Sequence, residues 1–226
     1  KIADHDPATL LFTSGSTGVP KCVPLSLANI WSNIEDFSRI LKIGGDDVFL
    51  STSPLFYAHA LYNGFLSALF HGTTVIYNGV LNIMNASNAV SIANKYKATI
   101  YHLTPSMMQI MLMMAGRFKE PFPKFRHIIC GTARLHPELK KKFEKTFDCI
   151  ATQQYGMTET LFITVNASKQ LEAPESVGIP VACEIKIADD FGKPLGKGQN
   201  GDIAVKSKSS FGSYFNKTDY SVHFFG

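Results

Sequence analysis

The sequence predicts an α/β fold: a doubly wound, mainly parallel sheet with helices on both faces, followed by a small antiparallel β subdomain forming an incomplete barrel. Two observations predict it. Up to about residue 155, short apolar runs of β type alternate with helical patterns, the order that builds βαβ units and a parallel sheet. Beyond residue 175 the helical patterns stop, and two alternating runs flank a charged turn. The expected division is an α/β subdomain over 1–175 and a truncated β subdomain over 176–226.

The first strand is expected at 9–13, overlapping the apolar run Ala8-Thr9-Leu10-Leu11-Phe12. Further strands are expected at 47–51, 74–77, 99–102, 126–130 and 149–154, with helices between them at 27–41, 58–69, 86–95, 105–115 and 136–146. The stretch 104–115 is the most apolar of the chain, yet too short to cross a bilayer, and it reads as a buried helix. The helix at 136–146 opens with Pro137 and Glu138. Proline's missing N–H is no loss in a first turn, and a carboxylate there meets the positive end of the helix. In the tail, 184–188 and 202–206 alternate as half-buried strands around Asp189-Asp190-Phe191-Gly192-Lys193-Pro194.

At 226 residues and 45% hydrophobic content, the chain can bury a substantial core. The net charge of +4 is scattered, and Lys140-Lys141-Lys142 reads as the solvated face of a helix, so no nucleic-acid partner is expected. Cys22, Cys130, Cys149 and Cys183 form no C-x-x-C pair, which argues against zinc and suggests reduced thiols in a cytoplasmic protein. Neither a signal peptide nor a membrane span is evident. Because Lys1 is not an initiator methionine, the chain is expected to be a piece of a longer one.

The chemistry is concentrated at predicted strand ends, where open α/β sheets bind ligands. The first such segment is Thr13-Ser14-Gly15-Ser16-Thr17-Gly18-Val19-Pro20-Lys21. Glycines let backbone N–H groups turn inward, hydroxyls add rotatable donors, and Lys21 adds a point charge suited to a polyphosphate. The Val19-Pro20 spacer separates it from the common NTPase loop, where lysine directly follows glycine. In Gln153-Gln154-Tyr155-Gly156-Met157-Thr158-Glu159-Thr160, an aromatic beside a glycine offers a stacking face for a base. Thr158 can donate to a phosphate, and Glu159 is a hard carboxylate of the kind that holds magnesium beside phosphates. Gly131-Thr132-Ala133-Arg134-Leu135 and Ser53-Pro54-Leu55-Phe56-Tyr57-Ala58-His59-Ala60-Leu61 follow two further strands. His59, at an apolar helix start, reads locally as a packing residue.

T-S-G-S-T-G-x-P-K followed by Y-G-M-T-E resembles the adenylate-forming superfamily of acyl-CoA synthetases, carrier-loading adenylation domains and luciferases. The other two segments are similar to the family's G-G-A-P-L and P-L-F-H-x-x-G-L, and Ser176-Val177-Gly178-Ile179-Pro180 and Gly201-Asp202-Ile203-Ala204-Val205 follow its order. The resemblance implies ATP-dependent activation of a carboxylic acid to an acyl-adenylate, then transfer to coenzyme A or a carrier's phosphopantetheine thiol. It implies that Thr13, Ser14, Ser16, Thr17 and Lys21 embrace the β- and γ-phosphates, with Gly15 and Gly18 permitting approach. Tyr155 would stack on adenine, Thr158 would contact the α-phosphate, and Glu159 would anchor Mg²⁺. Gly131, Thr132, Ala133 and Gln154 would line the nucleotide, while Tyr57, His59, Gly131, Gly156 and Met157 would border the acid. No general base is implied, since an ionised carboxylate needs none. The family histidine falls on Tyr57, and Gln154 stands where relatives carry a small residue. An aspartate for an amino-acid substrate is missing, which favours a plain acid, and Gly156 implies a pocket open beyond acetate. The family's C-terminal domain with its adenylation lysine has no counterpart here, so the chain alone is expected to turn over hardly at all. A carrier-loading domain or a non-catalytic nucleotide-binding relative are the alternative readings.

Overall fold

A computed structural model describes residues 3, 6–13, 20–166 and 176–215. In chain order it places β1 (Pro7–Thr13), β2 (Lys21–Ser26), α1 (Leu27–Leu41), β3 (Val48–Ser51), a π-helix (His59–Leu66), α2 (Ser67–His71) and β4 (Thr74–Tyr77). Next come α3 (Ala86–Lys95), β5 (Ile100–Leu103), α4 (Pro105–Met114), β6 (His127–Cys130) and α5 (Pro137–Phe147). The chain continues with β7 (Ala151–Met157), β8 (Leu161–Asn166), β9 (Ile179–Pro180), β10 (Cys183–Ala188) and β11 (Asp202–Ser207). The fold is of the expected class, a mixed sheet with helices plus small antiparallel sheets, without a closed barrel among the described residues. It divides into two compact units that are discontinuous in sequence. One comprises Lys1–Phe37, Gly156–Ile163 and Pro180–Gly226, and the other Ser38–Tyr155 and Thr164–Ile179.

In the first unit, β1 does not join the large sheet as its place in the alternating βα pattern suggested. It pairs with β2 in a separate antiparallel hairpin, from Pro7↔Ser26 to Thr13↔Lys21. β2 escapes a sequence reading because Pro24 cannot donate to a ladder, a cost that a two-stranded sheet with open edges avoids. Val23 and Leu25 are nonetheless fully buried. α1 starts on a reciprocal cap: the Ser26 N–H donates to Asn29 Oδ1, and the Asn29 N–H donates to Ser26 Oγ. Its buried Ile30, Ile34 and Phe37 fall at helical spacing, and the Phe37 ring lies 4.4 Å from that of Phe162. The tail strands β10 and β11 pair antiparallel as expected, from Cys183↔Ser207 to Ala188↔Asp202.

The large sheet has strand order β4-β3-β5-β6-β7-β8-β9, with β3 to β7 parallel. In the second unit the chain steps from β3 to β4 on one side, then returns to β5 on the other. That reversal is a topological switch point, and its crevice lies beyond the carboxyl ends of β3 and β5. One sheet face packs Tyr101, Leu103, Ile128, Cys130 and Ala151 against Ala89 and Val90 of α3, Met108 and Met111 of α4, and Phe143 and Phe147 of α5. At the opposite, amino-terminal end of the strands, Asp47 takes hydrogen bonds from Thr99 and Arg126. Burial pushes the Asp47 carboxyl up, but the Arg126 and Thr99 hydrogen bonds outweigh it and hold the group below its ordinary range.

The expected helix at 58–69 is instead an eight-residue π-helix leading into α2. The wider turn sets His59 and Asn63, four residues apart, on one side, where both reach Gln154. β8 and β9 were not anticipated. Leu161-Phe162-Ile163-Thr164-Val165 is a strong β run, masked in the sequence by its closeness to the Thr158-Glu159 motif.

Candidate functional site

The structure gathers the implied residues into two sets, one in each unit. In the first unit, Thr13 and Lys21 are ladder partners at the open end of the hairpin, so the two ends of the segment implied to bind phosphates are pinned opposite each other. Ser14, Gly15, Ser16, Thr17 and Gly18 lie outside the described residues. Lys21 Nζ stands 5.2 Å from the centre of the Tyr214 ring, and the Tyr214 hydroxyl donates to Glu159 Oε1 at 2.9 Å. The implied phosphate cation and the implied metal carboxylate thus meet on a single aromatic side chain. Burial and the Glu159 carboxylate push the Tyr214 phenol up to about 12, so at neutral pH it remains a donor. Tyr214 lies in no motif of the sequence and gave no local signal.

Glu159 is only 9% exposed, and its segment is tied down on several sides. The Phe211 N–H donates to the Glu159 carbonyl at 2.8 Å, and Ser209 Oγ donates to the Thr160 carbonyl at 2.9 Å. The buried Asn33 amide brackets Phe162, donating to its carbonyl and accepting from its N–H, both at 3.0 Å. Leu161 takes a left-handed φ of 60°, a conformation costing a bulky residue roughly 1–2 kcal/mol. Strain that is held this firmly is typical of functional turns.

Gly156 is closely confined by the backbone. A Cβ added there would lie 2.1 Å from the Leu161 carbonyl oxygen. Glycine is therefore demanded here by close approach of the chain. Met157 is exposed and Thr158 half-buried beside it. As for a metal, no group of three or more His, Cys, Asp or Glu among the described residues forms a protein cage. One anchored carboxylate completed by phosphate oxygens is instead the donor set magnesium accepts, and Glu159 fits that role.

In the second unit, His59, Asn63, His102 and Gln154 form a buried polar cluster on the sheet face away from the helical core. Asn63 Nδ2 donates to Gln154 Oε1 at 3.1 Å, and Gln154 Nε2 reaches His59 Nδ1 at 3.3 Å. This order makes His59 Nδ1 an acceptor and leaves the proton on Nε2. The His59 and His102 rings meet edge to face with centres 5.2 Å apart. Gly131, at the end of β6, faces the same amide: a Cβ there would be 2.7 Å from Gln154 Cγ. Thr132 follows with φ 72°, a second strained non-glycine residue. Thr132 and Ala133 are exposed, and Tyr155 is half-buried. Tyr57 stays outside the cluster, 56% exposed and packed on the Phe56 ring.

Burial pushes the His59 imidazole down to about 4 and holds His102 well below the usual value, with His59 and His127 adding to the effect on His102. Both are neutral at pH 7. The unfolded chain takes up their protons near 6.5 while the folded chain refuses them, so their stability contribution is complete above 6.5 and lost as pH falls towards 4. Stability is expected to fall by about 2 kcal/mol from His59 alone between pH 7 and pH 5, with His102 acting in the same direction. Urea midpoints across that range measure it, and an unchanged stability would contradict the burial of neutral imidazoles.

Comparison with known proteins follows the same lines. A family model described as AMP-binding enzyme matches residues 1–215. The oxalate–CoA ligase of Arabidopsis thaliana is 29% identical over 225 residues, covering 97% of this chain and 44% of that protein. The 2-succinylbenzoate–CoA ligase of Bacillus subtilis is 31% identical over 214 residues, covering 93% of this chain and 42% of that protein. A solved structure of the Bacillus subtilis O-succinylbenzoate coenzyme A synthetase, in complex with ATP and magnesium ion, superposes with a TM-score of 0.83 at 28% identity, over 95% of this chain and 44% of that one. The chain therefore spans less than half the length of the curated relatives it matches. No helix among the described residues is long and apolar enough to cross a membrane.

Proposed function

The chain belongs to the AMP-binding enzyme family, and from that premise we propose that it forms the nucleotide- and acid-binding core of an ATP-dependent acid–thiol ligase. The observation that carries this reading is the Lys21–Tyr214–Glu159 arrangement, a cation and an anchored carboxylate held by one residue. In the first step a carboxylate oxygen of the acid bonds to the α-phosphorus, the bond to the bridging oxygen breaks, and pyrophosphate leaves. Lys21, with Thr13 and the hydroxyls of Ser14, Ser16 and Thr17, neutralises the charge on the leaving phosphates, and Thr158 donates to the α-phosphate. Glu159 would hold magnesium, which would supply further compensation of the phosphate charge. Tyr155 stacks on the adenine, and the loop of Gly131, Thr132 and Ala133 lines the nucleotide. An ionised acid needs no base, and His59, with its Nδ1 lone pair taken by Gln154 and its basicity lowered by burial, is poorly suited to act as one.

In the second step a thiol displaces AMP. Coenzyme A is favoured over a carrier protein because the curated relatives described above are named as CoA ligases. Retention of both Lys21 and Glu159 disfavours a non-catalytic nucleotide binder, which has no use for a metal carboxylate. Incubation of the intact protein with ATP, magnesium and a panel of acids, followed by mass spectrometry, is expected to reveal an acyl-adenylate. ATP cleavage that ignores the acid, yielding ADP and phosphate, would overturn the reading.

A further inference from the structure

The buried cluster beneath Gln154 carries more hydrogen-bonding capacity than the protein uses. His59 Nε2, Asn63 Oδ1 and both ring nitrogens of His102 are buried without any hydrogen-bond partner among the described residues. His59 and His102 are 6% and 4% exposed, and Asn63 2%. Buried polar groups are paired in nearly all folded proteins, and each exception is costly. Four such atoms in one cluster are too many to be incidental.

The polarity of the set can be read from the network. Gln154 Nε2 donates to His59 Nδ1, so His59 Nε2–H is an idle donor. Asn63 Nδ2 is spent on Gln154 Oε1, so Asn63 Oδ1 is an idle acceptor. A neutral His102 adds one donor and one acceptor. The set holds no net charge and no carboxylate. Its complement is an oxygen function that both gives and takes hydrogen bonds.

The cluster's position suits a ligand. His102 belongs to β5, beside the switch point between β3 and β5, and Gln154 of β7 comes just after Gln153, the partner of the last β6 residue Cys130, towards the sheet end where α/β folds bind small molecules. His59 and Asn63 sit on a π-helix, an irregularity that recurs at functional sites. Gln154 covers the cluster: its side chain lies across Gly131, in the space a Cβ would claim, and is held there by Asn63 and the 3.3 Å contact to His59.

We propose that His59, Asn63 and His102 are specificity-determining residues that select acids carrying a hydroxyl or carbonyl oxygen on the chain distal to the reacting carboxylate, with Gln154 as the movable cover of their recess. The proposal rests on the acid-activation reading and names its substrate class. On binding, the Gln154 amide gives up its two bonds, and the acid's distal oxygen pairs with the idle groups. An alkyl acid of the same length leaves them unpaired, which is how a site built to hydrogen-bond rejects an isostere.

The test is adenylate formation by the intact protein with matched pairs of acids of equal length, one bearing a distal hydroxyl or carbonyl and one alkyl. The oxygen-bearing member is expected to be preferred by about 100-fold or more in kcat/KM. His102→Leu is expected to reduce that preference to within about tenfold and to raise Tm, because two orphaned nitrogens disappear. Gln154→Ala is expected to admit acids longer than those the natural protein accepts. If His102→Leu fails to fold, the preference of the natural protein and the range of Gln154→Ala still decide. Equal use of both members of each pair overturns the proposal while acid activation stands. Failure of every acid to yield an adenylate, despite ATP binding, overturns both.

Discussion

Replacing Glu159 with glutamine is expected to lower acid-dependent pyrophosphate exchange by about 10²–10³-fold, the loss seen when one preorganised electrostatic contact is removed from an active site. The amide keeps the shape of the side chain and still offers an oxygen to the Tyr214 hydroxyl, which donates to Glu159 at 2.9 Å in the natural protein. What it lacks is the negative charge that a magnesium–phosphate complex requires. Tm is expected to change by no more than about a few degrees, so the loss is one of chemistry. Exchange rates at several magnesium concentrations measure it, and a variant within about threefold of the natural protein would remove Glu159 from its role. Tyr214→Phe separates anchoring from charge: the ring stays beside Lys21 while the carboxylate loses its tether. About a tenfold loss is expected, smaller than that of Glu159→Gln.

The largest effect on stability is expected at Gly156. In Gly156→Ala the new methyl would sit 2.1 Å from the Leu161 carbonyl oxygen and 3.2 Å from Phe162 Cα, both backbone atoms that cannot rotate away. Relief requires moving a turn that Asn33 and Ser209 hold with hydrogen bonds. A loss of about 3 kcal/mol or more is expected, in the range that only a named steric or backbone conflict produces. Gly116→Ala is the comparison, since nothing stands within 4 Å of its added Cβ. That substitution is expected to shift stability by less than about 1 kcal/mol. Urea unfolding of both variants checks the pair, and equal stability would contradict the crowding at Gly156. The same geometry means that a bulky residue at Gly156 cannot probe an acid pocket, because it disturbs the backbone first.

Most of the sheet was legible because its strands are short apolar runs whose alternation with helices leaves few arrangements. β4, α1 and α3 fall where the sequence places them, and β3, β5 and β6 within a residue or two. The separate hairpin was not legible. Nothing local distinguishes β1 as a strand of its own sheet, and Pro24 argues against the partner that completes it. The π-helix was hidden for a related reason: a hydrophobic pattern registers a helix at 58–69 but not a wider turn. Lys21 and Glu159 could be found in the sequence because they sit in dense motifs. Tyr214, 55 residues beyond Glu159, joins them only through the fold. His59 read as a packing residue, and it is buried as such residues are, yet its Nε2 has no partner among the described residues. Burial can be guessed from an apolar neighbourhood, but satisfaction depends on which strands lie opposite.

The most direct measurement is exchange of labelled pyrophosphate into ATP by the intact protein, run with and without carboxylic acids from acetate upward and with amino acids included. Exchange that appears only with a narrow set of non-amino acids and vanishes in Lys21→Ala is the expected result, because reversal of adenylate formation depends on both the acid and the phosphate cation. ATP that binds while no acid supports exchange would contradict acid activation and leave a nucleotide-binding protein in its place.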